Sequence, residues 1–210
     1  SWAALACAHG LRVSAYDPHE AARERFLGHV ERARTQLTEL GLTGTGPVSF
    51  STDLATALAG AGFVQENGPE NEAVKRALLA QIDALLPPDA IIASSTSALV
   101  RSAIVADCAR PERIVVAHPF NPPHLVPLVE IVGADEGVVE RAAAFYRALG
   151  RRPVVLNREM PGHIANRLAS ALYREAVYLV EQGVASVADI DAALCNGPGL
   201  RWALMGPHMT

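Results

Sequence analysis

His118 ends the β-branched run RIVVAH, and a stiff loop carrying Pro119, Pro122 and Pro123 follows it. Glu130 lies twelve residues further on, inside the apolar stretch LVPLVEIVG. A carboxylate bonded to one imidazole nitrogen fixes the tautomer and favours the protonated ring. The other nitrogen is then free to take a proton from an alcohol, the partner step to loss of a hydride from carbon. As metal ligands the same residues read poorly. His118, His124 and Glu130 lack a usual ligand spacing, and prolines interrupt them.

Two further strand ends carry polar clusters. VQENGPENEAVK holds Glu66, Glu70 and Lys75, and ASSTSAL holds Ser94, Ser95, Thr96 and Ser97. Adjacent parallel strands would bring these ends, with His118 and Asn121, to one crevice. Alternatively, Glu70 and Ser97 simply start the helices that follow them. Asp17 ends LRVSAYD, where an acidic residue accepts hydrogen bonds from the ribose hydroxyls of NAD, although an Asp before a Pro is also a common turn residue. The matching G-x-G-x-x-G loop is absent. Gly44-Thr45-Gly46 is rejected because Ser49 stands where the third glycine belongs and a strand follows instead of a helix. The loop is expected upstream of Ser1, and without it the chain is expected to hold a pyrophosphate poorly.

Placing these residues requires short strands alternating with helices. Leu11 to Asp17, VSFS, GFVQE, AIIASS, RIVVAH, LVPLVEIVG and RPVVLN read as strands. AIIASS shows no alternation and should be buried on both faces. Trp2 to Ala8, HEAARERFLGHVERARTQLTELG, a short helix after Asp53, ENEAVKRALLAQIDALLP, SALVRSAIVADC and GVVERAAAFYRALG read as helices. The pattern predicts a doubly wound, mostly parallel α/β sheet over residues 1–158. From residue 159 to 210 only helices follow, GHIANRLASALYREAVYLVEQG and then SVADIDAALCNG, whose Ser186 and Asp189 form a capping box.

The 210 residues carry 18 basic and 22 acidic side chains, a net charge of −4, which argues against a nucleic-acid or anionic-membrane partner. No apolar run reaches the roughly 18 residues of a membrane span. Cys7, Cys108 and Cys195 are scattered and read as reduced thiols of a cytoplasmic protein. There is no initiating Met, an uncapped helix opens the chain, and GLRWALMGPHMT stops on apolar residues, so both ends of a longer protein are expected to be missing.

VQENGPENEAVKRALLAQID, SSTSAL, VAHPFNPPHLVPLVEIV, GHIANRL and GLRWALMGP together resemble the 3-hydroxyacyl-CoA dehydrogenase family, within it the branch of lambda-crystallin and L-gulonate 3-dehydrogenase. The resemblance covers essentially the whole chain. It implies a Rossmann-type domain, NAD as cofactor, and a helical second domain that forms a homodimer and borders the reaction cleft. It implies His118 as base, Glu130 as its partner, Ser97 on the substrate oxygen beside the nicotinamide, and Asn166 polarising the reacting carbonyl. Asp17, Glu70, Lys75, Ser97 and Asn121 match cofactor contacts. Against the family pattern, Gly41 to Val48 looks short and the final helices of the second domain are absent.

The substrate stays open. A free 3-hydroxy acid such as L-gulonate or L-carnitine is favoured by the SSTSAL and GLRWALMGP wording, with Arg201 as a candidate carboxylate partner. A short 3-hydroxyacyl-CoA is the alternative, for which Arg23, Arg25, Arg32 and Arg34 offer a basic patch, although they fit a solvated face shared with Glu24, Glu31 and Glu39 better. A non-catalytic, crystallin-like bulk protein is a further alternative, opposed by the intact Ser97, His118, Glu130 and Asn166 set.

Overall fold

The structure is a computed structural model that describes residues 1–209. It divides into two compact units, Ser1–His163 and the residues from Ile164 onward. The first unit therefore runs past residue 158.

In chain order the first unit contains α1 (Trp2–Ala8), β1 (Val13–Tyr16), α2 (Ala22–Glu39), β2 (Val48–Ser51), α3 (Leu54–Leu58), β3 (Phe63–Glu66), α4 (Glu72–Leu85), β4 (Ile91–Ser94), α5 (Arg101–Ile104), β5 (Ile114–Pro119), β6 (Leu128–Val132), α6 (Glu136–Ala148) and β7 (Arg152–Val155). The α/β, parallel-dominant architecture is as expected, with one difference. The strands form two sheets, a parallel pair β1-β2 and a five-stranded sheet in the order β3-β4-β5-β6-β7. Among the described residues no strand pairs with both β1 and β3. In the larger sheet every pairing is parallel except β5 with β6.

The central strands are buried on both faces, as their lack of alternation predicts. Because side chains alternate across a strand, Ile92, Ile114, Val116 and Val132 pack with Leu79 and Ile82 of α4 and Ile104 of α5. Ile91, Ala93, Val115, Ala117, Val129 and Ile131 pack on Val138, Ala142, Ala143 and Tyr146 of α6. A third cluster joins Ala4 and Leu5 of α1 to Val30, Ala33 and Leu37 of α2 and to Leu149. Gly44 and Gly46, rejected above as a nucleotide loop, have a packing role instead. A Cβ at either would lie 2.1 Å from a backbone oxygen, of Ala8 and Leu11 respectively.

The sequence reading overextends one helix. SALVRSAIVADC is helical only over α5, because Thr96 to Ala98 are held in a turn by bonds described below. The second unit is helical, with α7 (Ala165–Glu181), α8 (Val187–Asn196) and a short α9 (Pro198–Trp202). Ser186 and Asp189 form the expected capping box at the start of α8. No residue of these helices is fully buried, and Leu168, Leu172, Tyr173 and Val177 of α7 are exposed to solvent. No helix among the described residues is long and apolar enough to cross a membrane.

Candidate active site

β5 and β6 run antiparallel, in a register that sets His118 directly opposite Glu130. Directly paired residues share a face of the sheet. Their side chains therefore meet, with His118 Nδ1 2.9 Å from a Glu130 carboxylate oxygen. Both are buried, at 5% and 1% exposure. A carboxylate only accepts, so Nδ1 carries the hydrogen and the neutral ring presents Nε2 as a lone pair. By the same alternation His118 and Glu130 lie on the α4 face of the sheet, with Ser94 of β4 and Glu66 of β3.

Glu66 is the centre of a buried network. Lys75 donates to both of its carboxylate oxygens, at 2.9 and 3.1 Å, and to the Gly68 carbonyl at 3.1 Å. The Ser94 hydroxyl and the Gly68 amide also donate to Glu66. All three ammonium donors of Lys75 are thus engaged, the residue is 1% exposed, and Glu70 Oε2 lies 3.9 Å away. The structure places Lys75 inside the protein, as an internal brace for the loop that follows β3.

Glu70 is not a helix cap, since the side chain that caps α4 is that of Asn71. One Glu70 oxygen accepts from Thr96 Oγ1 at 2.6 Å and from the Ser97 and Ala98 amides at 2.9 Å each. Ser97 Oγ lies 3.4 Å from the same oxygen. Burial pushes the Glu70 carboxyl up, but these bonds and the Lys75 charge outweigh it and hold the carboxyl below its ordinary value. Ser97 does not start α5 either. Its turn is fixed from outside by Glu70, and from within by the Leu99 amide bonded to Thr96 Oγ1. On the other face, Ser95 donates to Asn67 and accepts from Gln65, and Gln65 in turn accepts from the buried Tyr146 hydroxyl.

Asp17 follows β1 and is half-buried. One of its oxygens accepts from the His19 amide at 2.9 Å, so it forms a turn at the strand end where the sequence reading set it. Asn121 is exposed in the loop beyond His118. Asn166 is half-buried in the first turn of α7, in the second unit.

His163 escaped the sequence reading. It is 2% exposed and its ring stacks on His118, with centroids 4.9 Å apart and planes inclined by 30°. Nothing in GHIANRL distinguishes this histidine from a surface residue. The preceding Gly162 is the single local hint of an unusual backbone, with φ at 76°.

Residues 1–160 match the model for the 3-hydroxyacyl-CoA dehydrogenase NAD binding domain, and residues 162–209 match the model for the C-terminal domain of the same family. The chain belongs to the 3-hydroxyacyl-CoA dehydrogenase family. It is 45% identical to an L-carnitine dehydrogenase of Bacillus cereus, covering all of this chain and 66% of the relative. It is 43% identical to a 3-hydroxyacyl-CoA dehydrogenase of Gibberella moniliformis, again over the whole chain and over 67% of that protein. Among solved structures, a 5-formyl-3-hydroxy-2-methylpyridine 4-carboxylic acid 5-dehydrogenase, an NAD-dependent dismutase, superposes with a TM-score of 0.91 at 39% identity, covering 98% of this chain and 69% of that one. The 3-hydroxybutyryl-CoA dehydrogenase of Escherichia coli superposes with a TM-score of 0.83 at 33% identity, over 93% and 43% of the two chains. This member of the dehydrogenase family thus spans about two thirds of the length of the curated relatives it matches.

Proposed function

We propose that the protein is an NAD-dependent oxidoreductase that oxidises the 3-hydroxyl of a small 3-hydroxy acid, carnitine-like in class, to the 3-keto acid. The observation that carries this reading is the buried His118–Glu130 pair at the end of β5. His118 Nε2 accepts the hydroxyl proton, while Glu130 holds the ring and offsets its new charge. Bound NAD supplies the hydride acceptor. Ser97 offers its hydroxyl to the substrate oxygen from a turn that Glu70 fixes. Asp17, at a strand end beside the parallel pair, suits the ribose hydroxyls and disfavours a 2′-phosphate. The half-buried carboxylate and the open ends of parallel strands fit a dinucleotide. Asn121 and Glu70 are further cofactor contacts in this reading, and Asn166 acts on the reacting carbonyl. Lys75 contributes through Glu66 and the loop.

The identity to several L-carnitine dehydrogenases favours a free acid of that class over L-gulonate and over a CoA ester. The acyl-CoA reading survives as a second one because of the Gibberella relative. The exposed apolar face of α7 supports a homodimer through the helical unit. The three free thiols support a reducing compartment, the cytoplasm.

The test is NADH absorbance with the whole protein, NAD, and a panel of L-carnitine, L-gulonate, L-3-hydroxybutyrate and L-3-hydroxybutyryl-CoA. Turnover confined to L-carnitine or another free acid is expected, and turnover of the CoA ester alone selects the second reading. His118→Gln should abolish turnover, and a rate near the parent's would remove His118 from the mechanism.

A further inference from the structure

His163 is marked out by its backbone and by both ring nitrogens. Its φ of 51° lies in the left-handed region, which is uncommon outside glycine, although histidine is among the side chains enriched there. Its Nε2 lies 3.2 Å from the Thr96 carbonyl oxygen. Its Nδ1 is buried without a hydrogen-bond partner among the described residues. A carbonyl only accepts, so Nε2 carries the hydrogen and the neutral ring leaves Nδ1 as a lone pair. The bond to the Thr96 carbonyl, which a phenylalanine ring would forfeit, accounts for Nε2, but no partner among the described residues accounts for the buried Nδ1. The ring's neighbour is the proposed base, 4.9 Å away.

We propose that His163 is a positioning residue for His118, a second imidazole that fixes the plane of the base and must be uncharged whenever the base carries a proton. The inference rests on the reading of His118 as the base. Two imidazolium rings this close repel. Glu130 of β6 bonds to His118, whereas on His163 a second proton would create a buried Nδ1–H with no acceptor among the described residues. Burial pushes the His163 proton affinity down. The Thr96 carbonyl raises it, a charged His118 lowers it, and the more distant Glu130 and Glu70 carboxylates raise it, with a net downward result.

The reduction direction, 3-keto acid with NADH, isolates this effect, because there the base must start protonated while His163 is neutral. Wild-type kcat/KM should fall at acid pH as His163 takes its proton, below the ordinary histidine value of about 6.5. In His163→Phe, which keeps a ring but can neither charge nor bond to the Thr96 carbonyl, that limb should move at least about one pH unit lower. His163→Asn tolerates the left-handed backbone but removes the ring. It should lower kcat about tenfold with KM for NADH within about twofold of wild type. An acid limb unmoved in His163→Phe would overturn the proposal. So would a joint loss of kcat, NADH affinity and thermal midpoint in His163→Asn, which a structural role would produce. NMR titration of the imidazoles gives a readout that needs no turnover. His163 should show the Nε2–H tautomer, and its midpoint should rise in His118→Gln. Coupling without turnover on any substrate would defeat the proposed function and leave the pair standing, whereas turnover with no coupling would defeat the pair alone.

Discussion

Replacing Glu130 by glutamine probes the pair most directly, because it removes a charge and leaves the shape. When His118 accepts a proton, a positive ring forms within hydrogen-bond distance, 2.9 Å, of a carboxylate that is 1% exposed. Opposite charges about 4 Å apart interact by about 4 kcal/mol at the effective dielectric of a protein site. A glutamine carbonyl still accepts from Nδ1–H and recovers about 1 kcal/mol of that as a neutral hydrogen bond. The remaining loss of about 3 kcal/mol corresponds to a rate reduction of roughly a hundredfold. The loss should fall on kcat for alcohol oxidation at neutral pH, with KM for NAD little changed, because the interaction grows only as the ring becomes charged. A neutral imidazole bonded to a neutral amide buries no unpaired charge, so the thermal midpoint of Glu130→Gln should stay close to that of wild type. Steady-state NADH formation over a range of both substrates, with a melting curve as control, decides the matter. A kcat within about threefold of wild type would show that Glu130 does not assist proton uptake, and the argument from strand register to chemistry would fail.

Away from the site, Asp83 should be a stability hub. Its buried carboxylate accepts from Arg113 Nε at 2.8 Å and from the Ala109 and Arg110 amides at 2.8 and 3.0 Å. Asp83→Ala leaves the buried Arg113 charge without a carboxylate, bonded only to backbone carbonyls, and should cost about 3–5 kcal/mol in denaturant unfolding. Burial pushes the Asp83 carboxyl up, but the Arg113 bond and the backbone amides outweigh it and hold the carboxyl below its ordinary value. The stability it contributes is therefore present above the unfolded value of about 3.9 and lost as pH falls through the lower folded one, so wild type and Asp83→Ala should converge in stability in strong acid. Among the thiols, Cys195 is exposed, Cys7 is buried, and burial pushes Cys108 up to about 11. A disulfide reagent at pH 8 should titrate Cys195 first in the native protein, and faster reaction at Cys108 would contradict its described setting.

Much of this was legible from residue types. Unbroken apolar runs marked the strands buried on both faces, and Ser186 with Asp189 marked the start of α8. The residues of the central pair were also legible, because a strand-end histidine and a carboxylate in the next strand can meet across one connection. Facts set by tertiary contact were not legible. The family resemblance marks Lys75 as a cofactor contact, but that Glu66 and Ser94 surround it follows only from the pairing of β3 with β4. Ser97 reads as a helix start, yet Glu70, 27 residues earlier, holds its amide in a turn. His163 carries no periodicity at all. Its burial depends on where the chain leaves α/β structure and on a left-handed backbone that a single histidine code does not announce.

The antiparallel register of β5 and β6 has a consequence for how such a protein can diversify. Hydrogen bonding along the two strands, rather than the length of the connection between them, keeps His118 opposite Glu130. The length of residues 120–127 therefore does not set the position of the proposed base relative to its carboxylate. A single residue inserted within β6 upstream of Glu130 would instead turn the carboxylate to the opposite face of the sheet. The hairpin is thus intolerant in its strand, where one inserted residue would part the proposed base from its carboxylate.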